Sequence, residues 1–208
     1  MLIVKEENKE FVSRAEGKIA GAVRSFSFDF RGKTVLDIGS STGGFTEFAL
    51  NSGAKKVFAV ELGTNQMKVP LRFDSRIELH EKTDIFDVFV KNNDNQQGFG
   101  KKVFLSQHPD VIVADVSFLS LKKVLFHAKR NLVGKGTEFL VMLKPQFEAR
   151  SFQLNRGVVK NEKMRREIIK DFEIWLKNND FLILNKQDND VLGRKGNQER
   201  FYYLKIAK

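Results

Sequence analysis

Apolar positions along this chain keep switching between two periods. Short apolar runs of strand length occupy residues 34–38, 56–61, 76–80, 110–115 and 138–143. Between them, residues 12–26, 45–50 and 120–131 and the stretch holding Met164, Ile168, Phe172 and Trp175 repeat at the spacing of a buried helix face. Ile19, Val23 and Phe26 mark the first helix, with Ser13 as its candidate N-cap; Phe45, Phe48, Ala49 and Leu50 mark the second, which stops at Asn51-Ser-Gly53, where glycine suits the C-cap. Shorter helices are predicted over 66–72 and 83–91. In the last helix Lys163, Arg165, Arg166 and Lys170 face away from the apolar stripe. Residues 92–108, rich in Asn, Gln and Gly, read as a surface-loop insertion ending at Pro109, and residues 149–160 read as a second loop. Residues 181–186 and 200–206 close the chain as an antiparallel strand pair. Strands alternating with helices predict an α/β fold, a mostly parallel seven-stranded sheet with an antiparallel C-terminal strand and helices on both faces.

Composition narrows the possibilities. With 208 residues, 41% of them hydrophobic, the chain can fill one ordinary core, and it reads as a single domain over 1–208 with residues 1–10 as a short charged extension. The net charge of +10 suits a polyanionic partner, because basic side chains that neutralise phosphates release counterions. Having no cysteine, the chain can form no disulfide, thiolate metal site or cysteine nucleophile. His80, His108 and His127 form no ligand-spaced pair, so no metal is expected. No apolar run approaches the roughly 20 residues that span a bilayer, and the N-terminus turns charged after three apolar residues. A cytoplasmic protein without membrane contact is expected.

The chemistry begins at a strand that runs into a glycine turn, Val35-Leu-Asp37-Ile-Gly39-Ser-Ser-Thr-Gly43-Gly44-Phe45. Such a turn lets backbone N–H groups approach a ligand at the carboxyl edge of the sheet. Glu61, 22 residues after Gly39, stands where an acid accepts both hydroxyls of a ribose, which favours adenosine binding over a bare tight turn. The spacing Gly39-x-x-x-Gly43-Gly44 is not the pyrophosphate fingerprint of NAD proteins, and no Lys-Ser or Lys-Thr follows to make a P-loop. Ser41 also sits in a Gly-x-Ser-x-Gly match to a hydrolase elbow, yet only His127 follows Asp110 and Asp115, with no glycine-rich loop beside it. An S-adenosylmethionine site fits these spacings better. In it Asp37 orients the turn, Gly39, Ser40, Thr42, Gly43, Gly44 and Phe45 surround the donor, Glu61 holds its ribose and Asp84 takes the adenine amine.

Five blocks stand in this order along the chain: Asp37-Ile-Gly-Ser-Ser-Thr-Gly-Gly-Phe45, Asp115-Val-Ser-Phe-Leu-Ser120, Lys144-Pro-Gln-Phe-Glu148, Gly157-Val-Val159 and Gly196-Asn-Gln-Glu199. In these, and over essentially its whole length from Phe11, the chain resembles the FtsJ-like RNA ribose 2′-O-methyltransferases, most closely their TlyA or haemolysin A branch. The resemblance implies a Rossmann-like S-adenosylmethionine-dependent methyltransferase fold, methylation of ribosomal RNA or ribosomal subunits, and a Lys-Asp-Lys-Glu tetrad at Lys18, Asp115, Lys144 and Glu199. A ribose 2′-hydroxyl is a poor nucleophile until its proton is drawn away, and the methyl must arrive in line, so deprotonation and alignment are the tasks. Lys144 is then the base or hydroxyl-activating group, and Lys18 its electrostatic neighbour and ribose-positioning donor. Asp115 and Glu199 hold the lysines, Asp115 also touching the methionine moiety. Phe118 and Phe147 are placed to stack a base. Arg14, Arg150, Arg156 and Lys160 are candidate RNA contacts, the last three within a stretch, 150–170, that has seven basic residues against two acidic.

The chain departs from the branch in four places. Nothing upstream of Phe11 is long enough for the small alpha-L-type RNA-binding domain with which members usually begin, so that module is expected to be absent, leaving room for a separate RNA-targeting partner. Asp84 stands where asparagine is common, Arg165 where histidine is common, and the 92–108 insertion is unusual. The competing functional reading is a non-catalytic RNA- or ribosome-binding protein that retains the methyltransferase fold; complete retention of the tetrad argues against it. A membrane-active toxin, suggested by the haemolysin label, finds no span, signal or exposed-looking apolar helix in the sequence.

Overall fold

The structure, a computed structural model, describes residues 14–91, 102–193 and 195–207. Helix α1 (Arg14–Phe26) buries Ile19, Ala22 and Phe26 on one face; Ser13, its candidate cap, lies outside the described residues. Strand β1 (Thr34–Ile38) is wholly buried and leads through the glycine turn into α2 (Gly44–Asn51). Strands β2 (Lys56–Val60) and β3 (Ile77–His80) follow. Of the helix predicted over 66–72, only a 3₁₀ turn at Leu71–Phe73 forms. Pro70 has no N–H to donate and disfavours helical geometry at Val69.

The helix predicted over 83–91 is also absent. A 3₁₀ turn at Ile85–Asp87 leads into β4 (Val88–Val90), which pairs in parallel with β5 (Val103–Leu105). Val88 and Val90 are buried while Phe89 between them is not, a period of two on β-branched residues that outweighs helical spacing. Strand β5 shortens the expected 92–108 insertion from its far end, and residues 92–101 of it lie outside the described residues.

Then come β6 (Val111–Ala114), α3 (Leu121–Asn131), β7 (Glu138–Leu143) and the single turn α4 (Pro145–Glu148). The loop predicted over 149–160 contains a 3₁₀ turn and a small hairpin, β8 (Leu154–Asn155) with β9 (Val158–Val159). Both residues of its turn, Arg156 and Gly157, have positive φ, the geometry that matches strand twist in two-residue hairpins. Helix α5 (Glu162–Asn178) is capped by Asn161, whose side chain accepts from Met164 N. Strands β10 (Phe181–Asp188) and β11 (Arg200–Ile206) pair antiparallel, and β11 also runs antiparallel to β7.

The main sheet has seven strands in the order β10-β11-β7-β6-β1-β2-β3, parallel except where β11 runs against its two neighbours. One face packs Leu36, Ile38 and Phe139 under α3 and α5; the other packs Val35, Val57 and Leu140 under α1 and α2. Burial on both faces explains the unbroken apolar runs. Strand order reverses between β1 and β6, and beyond the carboxyl ends of those two strands such sheets open a crevice. No helix among the described residues is long and apolar enough to cross a membrane.

Candidate active site

The glycine turn sits over that crevice. Gly39 has φ +79°, and a Cβ there would lie 3.2 Å from the carbonyl oxygen of Asp115, so only glycine lets the ends of β1 and β6 come this close. Asp37 is fully buried beneath the turn, where Thr46 Oγ1 donates to its Oδ2 at 2.7 Å while Oδ1 has no protein partner. Burial pushes its carboxyl up to about 7; the Thr46 hydrogen bond opposes the shift and the negative charge of Asp115 adds to it. Ser40 Oγ is likewise buried without a partner.

A cavity of about 860 Å³ opens in front of the turn, and Lys18, Asp115, Lys144 and Glu199 all line it. Each comes from a different element: Lys18 from α1, Asp115 from the end of β6, Lys144 from the end of β7, Glu199 from the residue before β11. They form two pairs. Lys18 Nζ lies 2.7 Å from Glu199 Oε2, with 13% and 3% of the two side chains exposed. Lys144 Nζ lies 2.6 Å from Asp115 Oδ1 and donates to Ser117 Oγ at 2.8 Å. The Asp115 contact is an ion pair to a buried carboxylate oxygen. Removing one member of such a buried pair would strand its partner's charge.

Gly39, Ser40, Thr42, Gly44 and Phe45 also line the cavity. Gly43 is buried at φ +94° behind Leu71 and Met67. Glu61 is not among the lining residues; its carboxylate accepts from Ser41 N at 2.9 Å and Gly63 N at 2.7 Å, bracing the turn. Asp84 is not brought to the cavity wall either: it is exposed and caps the 3₁₀ turn by accepting from Phe86 N. Ser41 Oγ bonds Gln66, whereas His127 donates from Nε2 to Val88 O and packs edge-on against Phe86 and Phe89, so Ser41 and His127 form no hydrolase dyad.

On the other rim Phe118, 92% exposed at φ 60°, lies 5.1 Å from the Phe147 ring, and both line the cavity. Arg150, Arg156 and Lys160 are exposed around the β8–β9 hairpin, outside the cavity lining, while Gly157 beside Arg156 is part of it. Arg14 begins α1, and its side chain lies outside the described residues. Arg165 departs from the expected outward basic face: it is buried, bonding Asp188 at 2.5 Å and Gln198 O at 3.3 Å. Sequence reasoning missed Ser117, Lys68, Gln146, Lys195 and Asn197 in the lining. Asn197 lies within a motif already singled out and Lys195 directly precedes it, which was signal enough; Lys68 has none. Among the described residues no group of three His, Asp or Glu could hold a metal ion.

A family model described as FtsJ-like methyltransferase matches residues 11–206. The chain belongs to the FtsJ-like methyltransferase family. Among its relatives, Hemolysin A of Brachyspira hyodysenteriae is 35% identical, over 93% of this chain and 76% of that protein. The 23S rRNA (cytidine-2′-O)-methyltransferase TlyA of Campylobacter jejuni is 34% identical, over 93% of this chain and 70% of that one. A solved structure named as a hemolysin of Streptococcus thermophilus superposes with a TM-score of 0.84 at 30% identity, covering 98% of this chain and 70% of that chain. For an FtsJ-like methyltransferase the cofactor to test against the cavity is S-adenosylmethionine, whose sulfonium is cationic. The residues fit it: Ser40 Oγ and Gln146 Oε1 stand unpartnered among the lining residues, and the carboxylates of Asp115 and Glu61 are placed around the turn.

Proposed function

We propose that this FtsJ-like enzyme methylates a ribose 2′-hydroxyl of ribosomal RNA, with the 39–45 turn and Asp115 holding S-adenosylmethionine. The observation that carries the reading is the convergence of two lysine–carboxylate pairs on one cavity beside that turn. When bound, the cofactor supplies a methyl group activated by a sulfonium. The protein's own work is on the hydroxyl. Lys144 acts here as the free amine: it takes the proton of the 2′-hydroxyl as the C–O bond forms, and Asp115 balances the ammonium that results. Lys18, fixed by Glu199, donates to the ribose and keeps the attacking oxygen in line. Phe118 and Phe147 stack the target base, drawn out of its helix, and Arg14, Arg150, Arg156 and Lys160 take phosphates. The name of the Campylobacter relative places its own methylation on a cytidine, which makes cytidine the first base to test here. Residues 1–208 are read as one methyltransferase domain, working where ribosomal RNA is found, in the cytoplasm.

The test is transfer of labelled methyl from S-adenosylmethionine to unmodified ribosomal RNA and to isolated subunits. Wild-type protein should label a ribose; Lys144→Ala should lose on the order of 10²–10⁴ in rate while the donor still raises its melting temperature. A variant as fast as wild type would remove Lys144 from the chemistry, and a wild type that labels neither substrate would sink the reading.

A further inference from the structure

Helix α3 carries a second cavity, of about 570 Å³, which it shares with α5 and the 3₁₀ turn before β4. Its walls are aromatic and cationic: Phe86, Phe126 and Trp175 with Lys122, Lys123 and Arg130, and no carboxylate. Phe126 is 46% exposed, and the Arg130 guanidinium lies 5.5 Å from its ring centroid. Phe126 belongs to neither of the two core clusters. None of Lys122, Lys123 and Arg130 is in an ion pair among the described residues, whereas neighbouring Lys129 is tied to Asp180. The cavity's amide groups are engaged with their own helices, Asn131 donating to His127 O and Asn179 to Trp175 O. What remains on offer is ring faces and positive charge.

From this we propose that the α3 cleft is a track for single-stranded RNA flanking the methylated nucleotide, gripped by stacking on Phe126 and by phosphate contacts to Lys122, Lys123 and Arg130. The proposal rests on RNA being the substrate. The helix starts directly after the loop that bears Ser117 and Phe118, so a strand leaving the catalytic cavity meets α3 at once. The ten residues from Leu121 to Arg130 span about 15 Å at the helical rise, room for roughly four stacked nucleotides at the spacing of a single strand. Stacking faces interleaved with cations hold single strands with little regard to sequence. The track therefore adds grip and leaves the choice of nucleotide to the cavity around Phe118.

Steady-state methylation of ribosomal RNA tests it with Phe126→Ala, Arg130→Ala and, as a charge-matched control remote from α3, Lys55→Ala, which is exposed on the loop before β2. Phe126→Ala and Arg130→Ala should each raise KM for RNA about five- to tenfold, the loss of one stacked or cation-assisted contact, with kcat and KM for the donor within twofold. Phe126→Trp should restore the wild-type KM, and Lys55→Ala should match wild type. An unchanged RNA KM in the two α3 variants, or an equal rise in Lys55→Ala, would overturn the track while leaving the proposed reaction in place. A wild type that methylates no ribosomal RNA would overturn both.

Discussion

A lysine ammonium offers three N–H donors. On Lys144 one is directed to Ser117 Oγ at 2.8 Å, while Asp115 holds the head by charge at 2.6 Å. Direction thus comes from the serine, and the ammonium keeps a further donor beyond these two contacts. Ser117→Ala should lower kcat about tenfold, the worth of a hydrogen bond to a charged group, and leave both KM values within twofold. Ser117→Thr, which keeps the hydroxyl, should recover most of the rate; a variant altered in KM alone would make Ser117 a substrate contact instead. This residue was not legible beforehand because a serine after a strand reads as an ordinary helix cap. Lys18, Asp115, Lys144 and Glu199 were named from motif contexts, and folding brings those contexts to one cavity. Glu61 and Asp84 were named from spacing alone, and spacing carries no information on where a side chain turns: one braces the glycine turn and the other caps a 3₁₀ turn.

Elements were most legible where a period ran long or burial was two-sided, as in α5 and the central strands, and least where three residues decided the matter, as in β4, whose Val-Phe-Val sits inside a stretch with helical spacing. The β8–β9 hairpin escaped notice for a related reason: two residues per strand leave no period to read. What secures that hairpin is remote in sequence. Asn197, buried, donates from Nδ2 to Gly157 O and accepts from Val159 N, both at 3.0 Å, so the segment leading to Glu199 clamps the turn carrying Arg156. Asn197→Ala removes both hydrogen bonds from a partly exposed hairpin, at a cost of about 0.5–1.5 kcal/mol for each. Exchange of the Val159 amide should accelerate by tenfold or more, with a smaller change across β6 and β7. Exchange that stays at wild-type rates would show that the hairpin holds without the clamp.

At the scale of the whole molecule, doubly wound topology forces β1 and β6 to end side by side, and that places three carboxylates, Asp37, Asp115 and Glu61, around one turn. The most buried of them bears the consequence. Asp37 has a folded-state value of about 7 against 3.8 in the open chain, so between those values the folded protein binds the extra proton. Its contribution to stability is therefore complete below about 3.8 and is lost as pH rises through about 7. Glu138 runs the other way, held down to about 2 against its burial by Lys33, Tyr203 and Lys205, and it loses stability only as pH falls below 4.5. Melting between pH 5 and pH 8 thus isolates the first group from the second. Wild-type protein without donor should become less stable across that range, by up to about 3 kcal/mol between pH 5 and pH 7 at 1.36 kcal/mol per unit. Asp37→Asn, which keeps an acceptor for the Thr46 hydroxyl, should flatten the slope, with the variant gaining on wild type as pH rises. A saturating cationic donor should flatten it too, because positive charge beside the turn favours the ionised carboxylate. Parallel melting curves for wild type and Asp37→Asn over the whole range would show that Asp37 is not the group that titrates.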